Sequence, residues 1–185
     1  MNISQNLSLF KLPDEEIVIL TLKGNKDIYG EIIKRYYDKL TMYLNRLLNF
    51  NTQDVEDCLS ETFLKTYTRL TLYTQNLKFS SWLYRIAHNQ AVDLIRKKSR
   101  IPTFNLDWFQ HIPDKASEYN ITNERLESVL ARLPFKERNL LVLFHIQELS
   151  LDEISDILKL KTNTIAVQLK RARIKAKQII EKYKL

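Results

Sequence analysis

The stretch that decides the fold is SLDEISDILKLKTNTIAVQLKRARIKAK, residues 150–177. It opens with Ser150 and Glu153 at the spacing of a capping box, in which each side chain accepts a hydrogen bond from the other residue's backbone N–H at the start of a helix. Apolar residues then recur at three- and four-residue steps on both sides of Lys159-Leu160-Lys161, with Thr162 as the expected N-cap of the second helix. This pattern predicts helix, tight turn and helix, the helix-turn-helix shape whose second helix enters the DNA major groove.

The charges of this region separate along the chain. Residues 148–156 carry four acids and no base, whereas residues 157–184 carry nine bases and Glu181 as the only acid. Solvation alone would mix the two signs to limit repulsion, so the one-sided run indicates a polyanionic partner. The alternative, that the bases complement the dipole of their own helix, applies only to the last turn.

Residues of the second helix that lie away from its apolar stripe are candidates for reading base edges. Val167 can contact a thymine methyl group, and Arg171 can contact a guanine edge. Other residues of this helix are suited to contact DNA phosphates, and such contacts position a protein on DNA without specifying the base sequence. The predicted base-reading residues are Ala166, Val167, Lys170 and Arg171, and the predicted phosphate contacts are Lys161, Thr164 and Arg173.

Over the whole chain, 185 residues and a net charge of +7 suit one medium domain or two small ones. Residues 24–100 and 124–185 each carry a net charge of +5, and the segment between them carries −2. That segment lacks helical periodicity and contains Pro102 and Pro113, so we predict a linker at 101–122 between domains at 1–100 and 123–185. The linker aromatics, Trp108 and Phe109, are expected to pack locally or to dock on a module or a partner.

The composition excludes several classes of protein. The two glycines are too few for a nucleotide-binding loop or a hairpin-rich β fold. One cysteine and three scattered histidines predict neither a disulfide framework nor a metal site, and no cofactor or catalytic centre is expected. Without a signal peptide or a long apolar run, we expect a soluble cytoplasmic protein with no membrane insertion. The predicted fold class is all-α, with two small helical domains joined by a flexible linker.

The first domain combines apolar stripes at helical spacing with a local cluster of acids. Asp54, Asp57 and Glu61 are predicted to share one helical face, opposite Val55 and Leu59. Acids within an otherwise basic module would repel DNA, so this face is expected to meet a basic protein surface, with a solvated helix face as the alternative. The acids around Cys58 are expected to raise its pKa, which indicates a structural thiol.

Four segments in the same order resemble the extracytoplasmic-function (ECF) class of bacterial sigma factors. Residues 79–98, FSSWLYRIAHNQAVDLIRKK, are similar to its F-x-x-W-L-x-x-I-A-x-N-x-x-x-D-x-x-R-K signature. Residues 54–63, DVEDCLSETF, resemble its acidic D-x-E-D-x-x-Q-E-x-F segment. Residues 133–138 and 153–173 resemble its C-terminal module, and the matches together span about residues 14–180.

The resemblance implies a subunit that binds core RNA polymerase and gives it promoter specificity. The first domain would correspond to sigma region 2, which holds the polymerase and melts the minus-ten element. The second would correspond to region 4, which reads the minus-thirty-five element, and the linker would thread through the polymerase. Members of this class often have an anti-sigma factor, so such a partner is expected besides core polymerase and promoter DNA.

The resemblance also assigns roles to individual residues of the first domain. A loop before the Trp82 helix would capture unstacked bases, and basic residues of that helix would hold the DNA backbone. Trp82 itself is expected in the core. The predicted minus-ten residues are Tyr73, Gln75, Asn76, Lys78, Arg85, His88, Asn89, Arg96 and Lys97, and the predicted polymerase contacts are Asp54, Asp57, Ser60 and Glu61.

The chain departs from the family pattern at several positions. Ser60 replaces the usual Gln of the polymerase-binding segment, and Lys159 stands where the helix-turn-helix turn often has Gly. In the reading helix, Ala166 and Gln168 replace residues that are frequently basic, so the promoter sequence cannot be carried over from the family.

Three other classes remain open from the sequence. A conventional helix-turn-helix repressor or activator would bind duplex DNA without polymerase. A nuclease or nucleotidyl transferase would need a metal-binding carboxylate cluster that the sequence does not display. A helical adaptor would leave the one-sided charge of the C-terminal region unexplained.

Overall fold

The structure is a computed structural model that describes residues 12–49, 51–99 and 121–185. Its described elements are helices joined by short turns, so the expected all-α class is confirmed. The α-helices are α1 (Asp14–Leu22), α2 (Tyr29–Leu47), α3 (Thr52–Thr68), α4 (Phe79–Ser99), α5 (Ile121–Arg132), α6 (Phe135–Leu141), α7 (Leu151–Leu158) and α8 (Thr162–Tyr183).

The N-terminal module packs α2, α3 and α4 around a common apolar core, with α1 laid across it. Leu40, Leu59 and Leu83 are buried representatives of the three long helices. The short helix α1 buries Ile17 and Val18, although its sequence shows almost no amphipathic periodicity. The turn between α1 and α2 contains Gly24 at φ +107°, a backbone conformation that glycine adopts without strain.

The C-terminal module packs α5 and α6 against the helix-turn-helix of α7 and α8. A π-helical turn, Val142–Ile146, continues α6 and buries Val142 and Leu143 in the module core. None of the helices in the described ranges combines the length and the apolar content that a bilayer span requires.

Several local expectations need correction. The helical spacing of apolar residues predicts Tyr37 and Leu126 on buried stripes, but both are exposed. The sequence predicts Pro134 as the first residue of α6, but it is the N-cap, because its own ψ of 149° is extended. Helix α5 begins at Ile121, so it includes the last two residues of the predicted linker. Trp108 and Phe109 lie outside the described residues.

The two modules pack directly against each other. Helix α4 of the first module lies on α7 of the second, and α2 lies beside α5 and α6. We call this contact the seam. Its paired residues are Lys78 with Glu153, Arg85 with Asp156, His88 with Phe135, Tyr43 with Asn139, Tyr84 with Gln147 and Arg46 with Glu127.

Candidate nucleic-acid and polymerase interfaces

The helix-turn-helix begins with the predicted capping box. Ser150 accepts from the backbone N–H of Glu153 at 3.2 Å, and the Glu153 carboxylate accepts from the backbone N–H of Ser150 at 2.9 Å. Partial burial acts to raise the pKa of Glu153, but hydrogen bonds from Lys78 and Ser150 outweigh it and hold the pKa below its ordinary value. The start of α7 is therefore fixed by an ionised carboxylate.

The turn between α7 and α8 uses a lysine where a glycine would be unstrained. Lys159 has φ 55° and ψ 42°, the left-handed conformation. Ser155 donates to the carbonyl oxygen of Leu160, which ties the turn to α7. The predicted N-cap of α8 is wrong by one residue, because Lys161 occupies that position and Thr162 donates to Asp152 at 3.2 Å instead.

The outer face of α8 is exposed as the sequence predicts. Ile165, Leu169 and Ala172 are buried against the module, which turns the intervening residues outward. The exposed residues are Lys161, Thr164, Ala166, Val167, Lys170, Arg171 and Arg173. A shallow concavity on this face is lined by Asn163, Thr164, Val167, Gln168 and Arg171. The arrangement offers an apolar spot beside a guanidinium, as base-edge contacts require.

Arg173 is an exposed base of α8 that the second module already holds. Its Nε donates to His145 Nε2 at 3.1 Å, and its guanidinium lies 5.2 Å from the centre of the Phe144 ring. Partial burial and the nearby Arg173 charge lower the pKa of His145. No local pattern indicates this pairing, since 28 residues separate the two side chains.

The loop before α4 presents two amides and encloses one aromatic ring. Gln75 and Asn76 are exposed. Tyr73 is half-buried, donates to the carbonyl oxygen of Leu77 at 2.8 Å, and packs 5.5 Å from the ring of Trp82. Burial raises the pKa of Tyr73 to about 12, with Glu15 and Asp14 adding to the effect. Trp82 packs within this aromatic cluster and does not stand free as a surface on which a base could stack.

A residue that the sequence analysis missed anchors the end of this loop. Glu15 on α1 accepts a hydrogen bond from the backbone N–H of Phe79 at 3.0 Å, so its carboxylate meets the first turn of α4. An anion at a helix N-terminus is stabilised by the free N–H groups and the helix dipole. Helix α1 therefore sets where the loop ends and α4 begins.

The basic face of α4 divides into a covered part and an open part. Lys78, Arg85 and His88 contact the second module across the seam. Asn89, Arg96 and Lys97 are exposed, and Arg96 lies 3.4 Å from Asp93 one turn away. The structure thus places Arg85 and His88 against α7 and α6, whereas Lys78 pairs with Glu153 and stays largely exposed.

The acidic segment on α3 is split between surface and core. Asp57, Ser60 and Glu61 are exposed, and the partners of the two carboxylates are Gln53 and Lys65 of the same helix. The prediction that Asp54 shares this face is wrong. Its side chain is buried at 6% exposure and forms an ion pair with Lys98 of α4.

Cys58 lies beneath this acidic segment. Its side chain is 5% exposed, and burial, with Asp54 and Asp57 adding to it, raises the pKa of the thiol to about 11. The expected direction is confirmed, but burial contributes more than the acids that suggested it.

Two family models match the chain in these two modules. The model for Sigma-70 region 2 matches residues 32–101, and the model for Sigma-70, region 4 matches residues 123–175. The first match contains the loop and α4, and the second contains the helix-turn-helix.

The relatives of known function that resemble the chain are sigma factors. The ECF RNA polymerase sigma factor SigW of Bacillus subtilis (strain 168) is 33% identical over 167 residues, which cover 82% of this chain and 88% of that protein. The ECF RNA polymerase sigma-E factor of Haemophilus influenzae is 27% identical over 180 residues, covering 88% and 93%.

Solved structures share the fold. CnrH in complex with the cytosolic domain of CnrY has a TM-score of 0.70 at 22% identity, covering 91% of this chain and 97% of that chain. The sigma factor RpoE in complex with the anti-sigma factor NepR from Bartonella quintana has a TM-score of 0.69 at 16% identity, covering 83% and 96%. Since both family regions match in order and a third of the aligned residues are identical to SigW, the chain belongs to the ECF class of RNA polymerase sigma factors.

Proposed function

We propose that this sigma factor directs core RNA polymerase to its promoters with two separate surfaces. Residues 1–100 act as region 2, which binds the polymerase and melts the minus-ten element. Residues 123–185 act as region 4, which reads the minus-thirty-five element, and residues 101–122 link the two. The protein contributes specificity and DNA opening, while the polymerase contributes the chemistry.

The observation that carries this proposal is the separation of exposed acids from exposed bases. Asp57, Ser60 and Glu61 lie together on α3, and the two carboxylates have only same-helix partners among the described residues. Six exposed bases lie on α8, in the second module: Lys170, Arg171, Arg173, Lys175, Lys177 and Lys182. An acidic protein-binding face and a basic DNA-binding face can therefore engage two partners at once.

The residues of each surface have distinct tasks in this proposal. Asp57, Ser60 and Glu61 bind a basic surface of the polymerase, whereas the buried Asp54 supports α3 from inside. Gln75 and Asn76 receive unstacked bases of the minus-ten element, and the basic residues of α4 hold the backbone. On α8, Val167 and Arg171 read base edges while the lysines contact phosphates.

A regulatory partner is part of the proposal. RpoE, whose fold this chain shares, was solved in complex with the anti-sigma factor NepR. We infer that an anti-sigma factor also binds this chain, and the exposed acids and bases described above give it two charged surfaces to cover.

The deciding experiment is reconstituted transcription with core polymerase and a genomic promoter library. The wild-type chain should produce initiation at a defined set of promoters. Reversing the acidic face with Asp57→Lys and Glu61→Lys should abolish that gain. The matched control, Asp27→Lys with Asp38→Lys, makes the same charge change at exposed acids outside the acidic segment of α3 and should leave initiation intact.

Two results would contradict the proposal. If the wild-type chain with core polymerase gives no promoter-specific initiation on the genomic library, the proposed function is wrong. If the chain binds duplex promoters tightly without polymerase and the acidic-face variant transcribes normally, a conventional helix-turn-helix regulator describes it better.

A further inference from the structure

The loop between α3 and α4 is bridged by one tyrosine hydroxyl. Tyr73 follows the short 3₁₀ turn Leu70–Leu72, and its hydroxyl donates to the carbonyl oxygen of Leu77 at 2.8 Å. The residues between them, 74–76, are exposed, and we call them the loop tip. No backbone–backbone hydrogen bond of the described residues starts or ends within 74–77. The side chain of Tyr73 therefore supplies the hydrogen bond that closes the loop.

The ring of Tyr73 is held in place by two other aromatic rings. It meets Phe79 edge to face with the ring centres 5.4 Å apart, and its centre lies 5.5 Å from that of Trp82. Phe79 is itself fully buried and lies edge-on to Tyr36 at 6.3 Å. Aromatic contacts of this geometry favour one arrangement of the rings. The hydroxyl of Tyr73 thus reaches the loop from a ring whose position the core sets.

The other end of the loop is fixed by α1. Glu15 accepts a hydrogen bond at 3.0 Å from the backbone N–H of Phe79, the first residue of α4. Its neighbour Asp14 accepts from Arg35 at 2.8 Å and also from the hydroxyl of Tyr36. Because these two adjacent acids bind different helices, α1 joins the start of α4 to α2.

A loop that is held at both ends loses less freedom when it binds a ligand. Each backbone residue that binding must order lowers the affinity, and a loop that is ordered beforehand avoids this cost. The planar amides of Gln75 and Asn76 can pair with the edge of a base only in a defined position and orientation. Contacts on either side of the loop tip can therefore control base capture without touching the base.

We propose that Tyr73 and Glu15 are positioning residues of the minus-ten loop. The Tyr73 hydroxyl and the Glu15 carboxylate hold the loop tip in the conformation in which Gln75 and Asn76 receive an unstacked base, and neither group contacts DNA. The assignment of this loop to minus-ten DNA rests on the proposed function. The role of Tyr73 thereby changes from a base contact to a support for the residues that make one.

The removal of one oxygen atom separates positioning from base stacking. Tyr73→Phe removes the hydroxyl but keeps the ring against Phe79 and Trp82, so a stacking role would survive this change. The matched control is Tyr29→Phe, in the core of the same module. It removes a hydroxyl that also donates to a main-chain carbonyl oxygen, that of Phe63 at 2.9 Å. Both variants thus lose one hydrogen bond of the same kind.

The first measurement follows the loop in the free chain. Relaxation of the backbone ¹⁵N nuclei gives order parameters for Gln75 and Asn76, which should be about 0.85 in the wild-type chain, as in rigid backbone. In Tyr73→Phe they should fall below about 0.6, whereas Tyr29→Phe should leave them unchanged. Low values in the wild-type chain, or unchanged values in Tyr73→Phe, overturn the proposal.

The second measurement tests base capture in the holoenzyme, with each variant assembled on core polymerase. The wild-type holoenzyme selects a sequence from single-stranded DNA that is randomised over the minus-ten element. Tyr73→Phe should bind the selected strand roughly tenfold more weakly and lose most of the discrimination against single-base substitutions. Its affinity for duplex minus-thirty-five DNA should be unchanged, because that contact lies in the other module. Tyr29→Phe should keep the affinity and the discrimination.

Glu15 is tested by variants that remove or keep its acceptor oxygen. Glu15→Ala leaves the Phe79 N–H without this partner and should weaken binding of the selected strand about fivefold. Glu15→Gln retains an acceptor oxygen and should bring the affinity back to within about twofold of wild type. Glu16→Ala, at an exposed acid one residue along α1, is the control and should bind as wild type does.

The outcomes distinguish this proposal from the proposed function. If the wild-type holoenzyme selects no minus-ten sequence, the proposed function and the DNA part of this proposal fail together, while the order parameters still report whether Tyr73 holds the loop. If selection succeeds but Tyr73→Phe binds and discriminates as wild type does, positioning is overturned. Equal losses in Tyr73→Phe and Tyr29→Phe would also overturn it, because they would reflect stability alone.

Discussion

Arg85 binds the main-chain carbonyl oxygen of Asp156 with two guanidinium nitrogens, and this joins the proposed minus-ten surface to the end of α7. A carbonyl near the C-terminus of a helix carries partial negative charge and attracts a cation. A side chain proposed to hold the DNA backbone is thus bound to the second module in this structure.

Arg85→Ala should therefore weaken the contact between α4 and α7. The variant loses two hydrogen bonds to the Asp156 carbonyl oxygen, so the free energy of unfolding should fall by about 1–2 kcal/mol. Lys97→Ala, at an exposed base of the same helix, should change it by less than about 0.5 kcal/mol. Urea denaturation of the two variants side by side checks this, and equal losses would contradict the role of Arg85 in the seam.

The buried ion pair between Asp54 and Lys98 should matter for stability far more than the exposed acids. Asp54→Ala removes the buried carboxylate of this ion pair and should lower the free energy of unfolding by about 3 kcal/mol. Asp57→Ala, three residues away on the surface, should change it by less than about 0.5 kcal/mol. Urea denaturation followed by circular dichroism measures both, and similar losses would contradict the assignment of Asp54 to the core.

Stability should fall in mildly acidic solution because of His88. Burial lowers the pKa of its imidazole from 6.5 to about 4, so the folded protein holds it neutral while the unfolded chain takes up a proton first. The contribution of neutral His88 to the free energy of unfolding is complete above pH 6.5 and is lost as the pH falls toward 4. The resulting loss of stability is at most about 3 kcal/mol.

The check for this pH dependence is a set of denaturation curves between pH 7 and pH 4, in which His88→Gln removes the charge change at this site. The groups around the ring, Asn139, Tyr43 and Phe135, carry no charge in this range, so they add no competing step. A slope that persists unchanged in the variant would contradict the assignment.

The turn of the helix-turn-helix offers a stabilising substitution. Lys159 is left-handed at φ 55°, which disfavours a residue with a Cβ by about 1 kcal/mol relative to glycine. Lys159→Gly should raise the unfolding free energy by about that amount, whereas Lys159→Ala should not. Thermal melts of both variants separate backbone strain from loss of the lysine charge, and equal melting temperatures would rule out strain.

The two kinds of contact proposed on α8 should separate in a binding assay. Arg171→Ala should lower affinity by about 1–3 kcal/mol and relax the preference at one base position of the minus-thirty-five element. Lys161→Ala should weaken all sequences alike and reduce the salt slope by about 0.9. Selection from a randomised minus-thirty-five library in the holoenzyme checks both, and an unchanged base preference in Arg171→Ala would contradict its reading role.

Local patterns predicted most of the helices because each long helix has an amphipathic stripe and clear end signals. Ser150 and Glu153 located α7 to the residue, since a capping box is a contact within four residues. Helix α1 was not predicted, because its apolar residues Ile17, Val18, Ile19 and Leu20 are consecutive and show no helical period.

Asp54 shows how a residue at helical spacing can be assigned to the wrong face of a helix. It continues a buried row with Cys58, Thr62 and Thr66 at four-residue steps, in which each threonine hydroxyl donates to the carbonyl oxygen four residues earlier. Small polar residues can satisfy their hydrogen bonds inside a helix and so tolerate burial. A row that contained a cysteine was a usable sign that this aspartate points inward.

The seam could not be predicted because nothing local encodes it. Arg46 and Glu127 are 81 residues apart, and each is an ordinary charged residue of an amphipathic helix. Their pairing depends on how two modules meet, which periodicity and caps do not determine. The same holds for the link between Glu15 and the start of α4, whose two ends are 64 residues apart.

The buried thiol has a practical and a physiological consequence. With a pKa of about 11 and 5% exposure, Cys58 holds roughly one thiolate in ten thousand molecules at neutral pH. Maleimide dyes will therefore label an introduced surface cysteine selectively without first removing the native one. The same inertness makes the Cys58 thiol a poor sensor of peroxide in this subunit.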